Sequence, residues 1–573
     1  MTTTTDRTPD DDAREGPGPV WAKPGPGSWR LDTSHFEPDC ARLSQRAIEI
    51  GMAEGMRQGF EVMGAPLRGM EAAFVNGSFY HRLVPLVGGN LDLPLPPAPV
   101  LWLVARLHPA FRRQTRRARR AIEGRVWNDE LARWVDEDRP WLVERCTALS
   151  AVHPSELDDG GLSRHLQELI ELVNRGTTLH FRLHVSDLGP IGLLLVRARD
   201  WGLDGTEVMA TLSGSSPETS APRRALAAIG RSAGADGATG PFASFDDVRS
   251  ASPEAGRMLD RFLDRYGWRL TTGYDLQDLA LVELPELVLT AIDRAAADPD
   301  GIEREADGAA VTDAGRRAFE ALADRLSTDD AAEFERLVAD ARALYGLRDE
   351  NGPLTYQWPA GLLRRALLET AKRLADRGLL SDVAQVFDLE GDELAALLTG
   401  GTGPAVAELE DRRAQRREWA RHRAPAVLGP EMGQPPLWAL PGPLARAMDV
   451  VVTVLDLIES DGSGPATLDG IGIGDRPAVG RARIVTDAVD ALARMEPGDV
   501  LVAPFTVPTY NAALATAGAV VVENGGLLCH AAVIARECGI PGLVGVTGAT
   551  GLLTDGALVR VDPVAGTIRE IPA

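Results

Sequence analysis

Residues 525–541 read GGLLCHAAVIARECGIP, and this stretch decides how the end of the chain folds. Two glycines and a short apolar step lead to His530, which is followed by residues that favour a helix. The first turn of a helix has unpaired backbone N–H groups at the positive end of its dipole, where an anion binds well. Gly525 and Gly526 let a phosphate approach the backbone without a Cβ in the way. A neutral imidazole at this place can accept a phosphoryl group and pass it on, so we predict that His530 is a nucleophile. On these residues alone, a packed structural histidine is the alternative.

Short β-rich runs surround this stretch from about residue 466 onward. They alternate with two helical segments, 511–516 and 530–537, as in a compact α/β domain. We therefore predict a multidomain α + α/β chain, in which a large, mostly α-helical domain precedes a compact C-terminal α/β domain. The predicted strands are 482–485, 499–505, 517–522, 543–546, 558–561 and 567–571.

The rest of the chain divides into a tail, a helical domain and a linker. Residues 1–28 are rich in Thr, Asp, Pro and Gly without periodicity, and they predict a disordered tail. Residues 29–455 place apolar residues at three- and four-residue spacing, which predicts a helical domain. Residues 456–480 predict a linker, because their Gly470–Gly474 run opens no strand–turn–helix unit of the dinucleotide-binding kind. The α/β domain then covers residues 481–573.

The charge and composition of the chain exclude several classes of protein. Sixty basic residues face 83 acidic ones among 573 residues, and the formal net charge of −23 argues against a nucleic-acid partner. No apolar run approaches the roughly 18 residues of a membrane span, and the N-terminus has no apolar signal-peptide core. The four cysteines show no metal-binding spacing, which suits a reducing compartment. We expect a cytoplasmic protein without a bound metal.

Residues 498–545 resemble the phosphohistidine swivelling domain of the phosphoenolpyruvate-utilising enzymes. The pattern of that family is Gly-Gly, two further residues, Ser/Cys/Thr and His, then Ala-Arg-Glu and Gly-Ile-Pro, and it is met nearly position by position. The helical part resembles, more loosely, the substrate-binding region of rifampicin phosphotransferase and of phenylphosphate synthase-like proteins. This second resemblance rests mainly on residues 29–38, 262–269 and 363–374.

The resemblance implies a role for particular residues. His530 would carry the phosphoryl group as the catalytic residue. The implied phosphate-binding residues are Gly525, Gly526, Cys529 and Arg536, and the implied acceptor-side residues are Arg269, Arg364 and Arg365. Relatives have Gly-His-Arg where this chain has Gly267-Trp268-Arg269, so a base contributed by that histidine is in doubt here.

The sequence contains neither an ATP-grasp domain nor a phosphoenolpyruvate-binding barrel, and it has no Gly-x-x-x-x-Gly-Lys-[Ser/Thr] loop. We therefore expect a phosphotransferase component that is charged in trans by a separate ATP-grasp subunit, which brings ATP and Mg²⁺. The phosphoryl group would pass to a hydroxyl of a small molecule. Two alternatives stay open: an ATP-dependent condensing component that activates a small molecule by phosphorylation, and a non-catalytic small-molecule-binding or regulatory protein that kept the fold.

Overall fold

The computed structural model describes residues 19–572 except 34, 37, 93–94, 239, 298–307, 431–432, 459–465, 508–509 and 515. The predicted disordered tail therefore lies outside the described residues as far as residue 18. The remainder of that tail is ordered, and this part of the prediction is wrong. The Trp21 ring packs 6.4 Å from the ring of Tyr80, and the Gly27 N–H donates to Asp92 over 2.7 Å. This polar segment is ordered because its one large aromatic side chain, that of Trp21, packs against the ring of Tyr80.

Helices make up most of the chain before the C-terminal domain, as the periodicity predicts. Their bounds are α1 Arg42–Met63, α2 Ala98–Leu107, α3 Pro109–Glu123, α4 Trp127–Arg133, α5 Arg139–Ser150, α6 Asp159–Asp200, α7 Gly205–Ala210, α8 Pro217–Ala235, α9 Phe245–Ala251, α10 Pro253–Phe262, α11 Pro285–Ala297, α12 Gly308–Ala323, α13 Thr328–Gly352, α14 Trp358–Asp376, α15 Gly391–Leu398, α16 Val406–Ala420 and α17 Gly442–Ile458. Single π-helical turns at Trp134–Asp138, Leu263–Gly267 and Pro353–Gln357 follow α4, α10 and α13. The helix α6 is 42 residues long and lies at the centre, where it contacts α1, α13, α14 and α17.

A small antiparallel sheet interrupts the helical part. Its strands are β1 Trp29–Leu31, β2 Leu67–Val75, β3 Ser78–Pro85 and β4 Val427–Leu428, in the order β2-β3-β1-β4. Asn76 and Gly77 connect β2 and β3 with φ angles of 48° and 77°, the left-handed conformation that a two-residue hairpin loop requires. An Asn-Gly pair between apolar runs is a hairpin signal, and the small sheet is a feature that the prediction of a mostly helical domain over residues 29–455 did not include.

The C-terminal domain is built on a seven-stranded sheet in the order β11-β10-β6-β7-β8-β9-β5. The strands are β5 Ile471–Ile473, β6 Ala478–Ile484, β7 Val500–Ala503, β8 Ala519–Val522, β9 Gly542–Val544, β10 Leu558–Asp562 and β11 Thr567–Glu570. Strands β6 to β9 run parallel, and the strands at both edges pair antiparallel. The helices are α18 Ala488–Arg494, α19 Asn511–Leu514, α20 His530–Cys538 and α21 Ala549–Leu552. The predicted fold class, a large helical domain followed by a compact α/β domain, is confirmed.

The predicted linker 456–480 is partly wrong. Residues 459–465 lie outside the described residues, but Ile471–Ile473 form an edge strand that pairs with β9, and β6 begins at Ala478. A Cβ at Gly472 would lie 1.7 Å from the Pro563 carbonyl oxygen. The glycine therefore allows the strand to pass close to a neighbouring chain segment, which Gly-rich composition alone does not distinguish from a linker.

Candidate functional site

His530 is the first residue of α20 and follows a tight loop that leaves the carboxyl end of β8. Gly525 has a φ angle of 110°, which only glycine adopts without strain. A Cβ at Gly526 would lie 2.1 Å from the carbonyl oxygen of Leu457 at the end of α17. The second glycine is therefore required by the close approach of a helix from the helical domain, and its role in phosphate binding stays a prediction.

The imidazole of His530 is held by one neighbour. Its Nδ1 lies 2.8 Å from the Thr506 hydroxyl oxygen, whereas its Nε2 is buried without a hydrogen-bond partner among the described residues. Burial lowers the pKa of His530 to about 4, so the ring is neutral near pH 7. When Nδ1 carries the proton and donates to Thr506, Nε2 keeps its lone pair and is a nucleophile.

His530 lines a cavity of about 1630 Å³ between the C-terminal domain and the helical domain. The helical domain contributes methionines and aromatic rings to the cavity, among them Met52, Met56, Phe60, Trp127 and Tyr274. The C-terminal domain contributes Thr506, Gly525 and Cys529 beside His530. The arrangement brings a buried imidazole nitrogen to the wall of a large, mostly apolar space.

Arg348 on α13 connects the helical domain to the histidine loop. Its Nη2 donates to the Leu528 carbonyl oxygen over 2.8 Å, and its buried Nη1 has no hydrogen-bond partner within the described part of the chain. Arg348 also lines the cavity. The guanidinium of Arg348 is bonded to Leu528, two positions before His530, and its Nη1 has no partner among the described residues. Such a group is suited to bind a phosphoryl group on His530.

Arg536 has a different role from the one predicted. The residue is 7% exposed. It donates to the hydroxyl of Tyr345 on α13 over 2.6 Å and to the Leu527 carbonyl oxygen. It is not among the described residues that line the cavity. A residue six positions after another on a helix lies on a different face. The Arg536 side chain therefore does not point towards the cavity as that of His530 does. Arg536 supports the loop from behind and connects it to the helical domain.

The three acceptor-side candidates separate into two groups. Arg269 lines the cavity, with its guanidinium carbon 4.6 Å from the ring centre of Tyr266 and 5.4 Å from that of Trp358. Arg364 is 6% exposed and forms a two-pronged ion pair with Glu283 at 2.7 and 3.0 Å. Arg365 donates to backbone carbonyls at the end of α5, including those of Ser150 and Val152. The prediction is therefore wrong for Arg364 and Arg365, whose guanidinium groups hold the helical domain together.

Asp32 and His35, from the motif at residues 29–38, also line the cavity. The His35 Nδ1 lies 2.7 Å from an Asp32 carboxylate oxygen, and the His35 side chain is 45% exposed. A smaller recess is lined by His35 together with Phe505 and Val507, the neighbours of Thr506. A carboxylate-bound imidazole therefore lines the same space as the loop that holds His530.

Sequence reasoning missed Thr506 and Arg348. Thr506 follows β7, the strand next to β8, and the carboxyl ends of adjacent parallel strands bring their loops together. That rule could have identified it. Arg348 gives no such signal, because it is one of many arginines on amphipathic helices.

Two further findings concern metals and membranes. Within the described ranges, no group of three or more His, Cys, Asp and Glu side chains could hold a metal ion. Among the helices described, none is both long and apolar enough to cross a lipid bilayer.

Two segments match known protein families. Residues 495–566 match the PEP-utilising enzyme mobile domain, and residues 188–349 match the rifampicin phosphotransferase fourth domain. The first segment contains Thr506 and His530, and the second contains Tyr345 and Arg348. The resemblance to phosphoenolpyruvate-utilising enzymes is therefore confirmed, and the two matched segments include cavity residues of both domains.

Among its relatives, the chain is 31% identical to a rifampicin phosphotransferase from a Streptomyces species, over 55% of this chain and 34% of that protein. It is 27% identical to the uncharacterized phosphotransferase YvkC of Bacillus subtilis, over 55% of this chain and 36% of that protein. It is 26% identical to the chondramide synthase cmdD of Chondromyces crocatus, over 96% of this chain and 14% of that protein. The chain thus spans about a third of the two phosphotransferases and about a seventh of the synthase.

Proposed function

We propose that the protein is a phosphotransferase component in which Nε2 of His530 carries a phosphoryl group to a small molecule in the cavity. One observation carries this proposal. The Nε2 atom of a neutral, buried imidazole has no hydrogen-bond partner among the described residues and lies in the wall of a cavity that the two domains share. A non-catalytic binding protein needs no such nitrogen at a helix N-terminus.

Transfer proceeds by breaking the bond between Nε2 and phosphorus and forming a bond between phosphorus and an acceptor oxygen. Arg348 binds the migrating phosphoryl group, since transfer of this kind depends on positioning and positive charge. Thr506 holds the ring with its proton on Nδ1, so Nε2 leaves as a neutral nitrogen. The proton of the acceptor hydroxyl passes to His35, whose other nitrogen is bound to Asp32.

The phosphoryl donor is a separate ATP-grasp subunit that brings ATP and Mg²⁺, as the sequence resemblance implies. The protein works in the cytoplasm, where its four cysteines, none of which forms a disulfide among the described residues, stay reduced. No nucleic acid or membrane takes part.

The first experiment measures the intact mass of the protein after phosphorylation, with an alkaline quench because phosphohistidine is acid-labile. Potassium phosphoramidate serves as a direct donor that needs no partner, and ATP alone, phosphoenolpyruvate alone and ATP with lysate of the native cells are compared. We expect one phosphoryl adduct with phosphoramidate and with ATP plus lysate. It disappears in His530→Ala and persists in the matched cavity variant His184→Ala. An adduct that survives in His530→Ala would refute the proposal.

The second experiment tests the acceptor step. The phosphorylated protein is mixed with a small-molecule extract of the native cells, and mass spectrometry detects compounds that gain one phosphoryl group. We expect such a product with the wild type and none with His530→Ala. In Thr506→Val, the adduct should form more slowly, because the proton is no longer held on Nδ1.

A condensing component is the second candidate, and the match to the chondramide synthase over 96% of this chain favours it. In that case the phosphorylated acceptor is attacked by a second molecule, and phosphate leaves as the new bond forms. The extract experiment distinguishes the two, since condensation releases inorganic phosphate and leaves no phosphorylated product.

A further inference from the structure

The helix α2 is apolar on all sides. Its sequence APVLWLVARL contains one charged residue, Arg106. Leu101 and Ala105 are buried in a core that α2 shares with α3 and α17. A helix that is apolar all round is ordinarily covered on every side. The opposite side of α2 is exposed instead, and nothing among the described residues covers it.

The exposed side of α2 carries a row of large apolar side chains. Val100, Leu103 and Leu107 are 49%, 51% and 65% exposed. Their spacing of three and four residues places them on one face of the helix, along two turns. A single exposed leucine is ordinary, whereas a contiguous apolar row on a surface marks a site of interaction.

Two exposed tryptophans extend this apolar row. Trp102 lies on α2, and Trp438 lies in the single turn Leu437–Ala439, which contacts α2. The guanidinium carbon of Arg106 lies 4.2 Å from the ring centre of Trp102, and its Nη1 donates to the Ala439 carbonyl oxygen over 3.0 Å. One arginine therefore holds the ring and the turn together. Tryptophan is among the residues that contribute most to the affinity of protein interfaces.

The neighbouring helix α3 is strongly basic. Residues 98–123 contain seven arginines and one carboxylate, that of Glu123, in a chain with a formal net charge of −23. Six of these arginines lie on α3, where all are exposed, and Arg117 forms an ion pair with Glu61. Within the described part of the chain, the other five form no ion pair: Arg112, Arg113, Arg116, Arg119 and Arg120. Positive charge that the protein itself leaves unpaired attracts an acidic partner.

The apolar row and the arginines lie on neighbouring helices that share one core. Leu101 of α2 and Phe111 of α3 are buried together with Leu444 of α17. The opposite faces of α2 and α3 therefore both point away from α17. Of the residues of these two helices, only Ile122 lines the cavity that contains His530. A ligand in the cavity therefore does not cover this surface.

Symmetry and charge argue against two other occupants of the surface. A second copy of the chain, related by a two-fold axis, would bring the arginines of both α3 helices together, and like charges repel. An anionic membrane would attract α3 but repel the rest of the chain, which is more negative than −23 once residues 98–123 are left out. A protein that places carboxylates beside an apolar row matches both features of the surface.

We propose that α2, α3 and Trp438 form a binding surface for a partner protein that presents an acidic amphipathic helix. The apolar face of that helix packs on Val100, Leu103 and Leu107, because the ridge of side chains on one helix fits the groove of another. Its carboxylates pair with the arginines of α3. This surface goes beyond the proposed function, since binding requires neither His530 nor a phosphoryl donor.

The test uses a fluorescently labelled synthetic peptide of about 18 residues, with leucines on one helix face and glutamates on the other. A peptide of the same composition in scrambled order is the matched control probe. Fluorescence anisotropy measures the binding of each to the full chain. We expect the ordered peptide to bind at least about tenfold more tightly, and its affinity to fall several-fold between about 0.05 M and about 0.5 M salt. Equal binding of the two peptides, or no binding, would overturn the proposal.

Variants locate the site of binding. Leu103→Asp/Leu107→Asp should weaken binding of the ordered peptide at least about tenfold. Arg116→Gln/Arg120→Gln should weaken it several-fold and reduce its dependence on salt. Arg417→Gln/Arg421→Gln, at exposed positions at the end of α16, is the matched control and should change nothing. All three variants should keep the thermal unfolding midpoint and the phosphoramidate adduct of the wild type. Unchanged affinity in both surface variants would overturn the proposal and leave the proposed function intact.

The two other occupants are measured with the same variants. Flotation with vesicles of phosphatidylglycerol and phosphatidylcholine tests the membrane, and sedimentation velocity over a range of concentrations tests a second copy. We expect neither vesicle binding nor a dimer. Vesicle binding that both surface variants abolish would assign the surface to a membrane, and a dimer that both abolish would assign it to self-association. Either result would overturn the proposal.

Discussion

The two faces of the C-terminal sheet differ in what covers them. Val500, Val502, Val521 and Leu543 point to one face, where they form a core with residues of the C-terminal domain alone. The alternate side chains along the same strands point to the other face. Leu501, Val520, Val522 and Val544 there join a core that continues through α20 into Phe334 and Tyr345 of the helical domain. The period of two along each strand thus separates a self-contained face from a shared one.

The difference indicates which packing contacts would break if the C-terminal domain moved relative to the helical domain. Rotation of the C-terminal domain away from the helical domain would leave the self-contained core intact and would open the shared one. His530, Arg536 and Glu537 all lie on α20, at the shared face. In the proposed function, the histidine that must meet a donor elsewhere is therefore attached to the face whose packing is divided between two domains.

The largest effect is expected from the self-contained face. Leu543→Ala removes a fully buried side chain and should lower the free energy of unfolding of the C-terminal domain by about 2–5 kcal/mol. Urea unfolding of the full chain, with hydrogen exchange of β7 and β8 as the local probe, measures it. Docking contacts such as that of Arg348 should survive in the folded fraction. Protection lost first around α13 would show that the faces are not independent.

Arg348→Gln tests the shared face at its charged contact. The loss of the bond from a guanidinium to the Leu528 carbonyl should weaken docking by about 1.5–3 kcal/mol, and it should slow transfer from phosphorylated His530. Hydrogen exchange of the 523–530 loop reports docking, and the lifetime of the adduct with the cell extract reports transfer. Arg365→Gln is the control for loss of an α-helical arginine outside the cavity. Equal effects of the two on adduct lifetime would contradict a role at the phosphoryl group.

Tyr345→Phe should have a smaller effect on the same face. The substitution removes only the hydroxyl that accepts from Arg536, and the ring stays packed. We expect docking to weaken by about 0.5–1.5 kcal/mol without a change in the chemistry of His530. The rate of hydrogen exchange of the α20 amides should rise. The yield of the phosphoryl adduct formed with phosphoramidate should equal that of the wild type. A lower yield would mean that Arg536 also orients the imidazole.

The smallest expected effect is the pH dependence of docking. Glu537 accepts from the Gly214 N–H of the helical domain, and burial, with Asp349 nearby, raises its pKa to about 7. A carboxyl with a raised pKa binds its proton more tightly in the docked state. Docking should therefore weaken as the pH rises from about 4.5, the ordinary range of a glutamate, through 7. Below this window the carboxyl is protonated in both states and contributes no slope.

Measuring this slope requires a variant without the opposing titration of His530. The pKa of His530 is lowered in the docked state, and docking therefore weakens as the pH falls below 6.5. The pH series is for this reason run in His530→Ala. Hydrogen exchange, corrected for the intrinsic effect of pH, should show the slope in that background, and addition of Glu537→Gln should abolish it. A slope that persists with glutamine would assign it to another group.

Local pattern was sufficient for much of the fold. All six predicted C-terminal strands are present within a few residues, because these strands read as short β-rich runs bounded by turns. The hairpin of β2 and β3 and the edge strand β5 were missed. The first carries an Asn-Gly signal that we did not use. The second pairs with β9 where Gly472 lets the strand pass close to Pro563, and that neighbour is distant in sequence.

The sequence by itself determined the helical domain, the C-terminal α/β domain and the position of His530 at the start of a helix. These depend on contacts between residues near each other in the chain, which leave a periodic or motif-like trace. Only the tertiary structure decided which arginines face the cavity. Arg269, Arg364 and Arg365 are alike in sequence, yet the first lies at the cavity and the other two bind Glu283 and backbone carbonyls. A long charged side chain takes the partner that packing brings within reach, and that partner is distant in sequence.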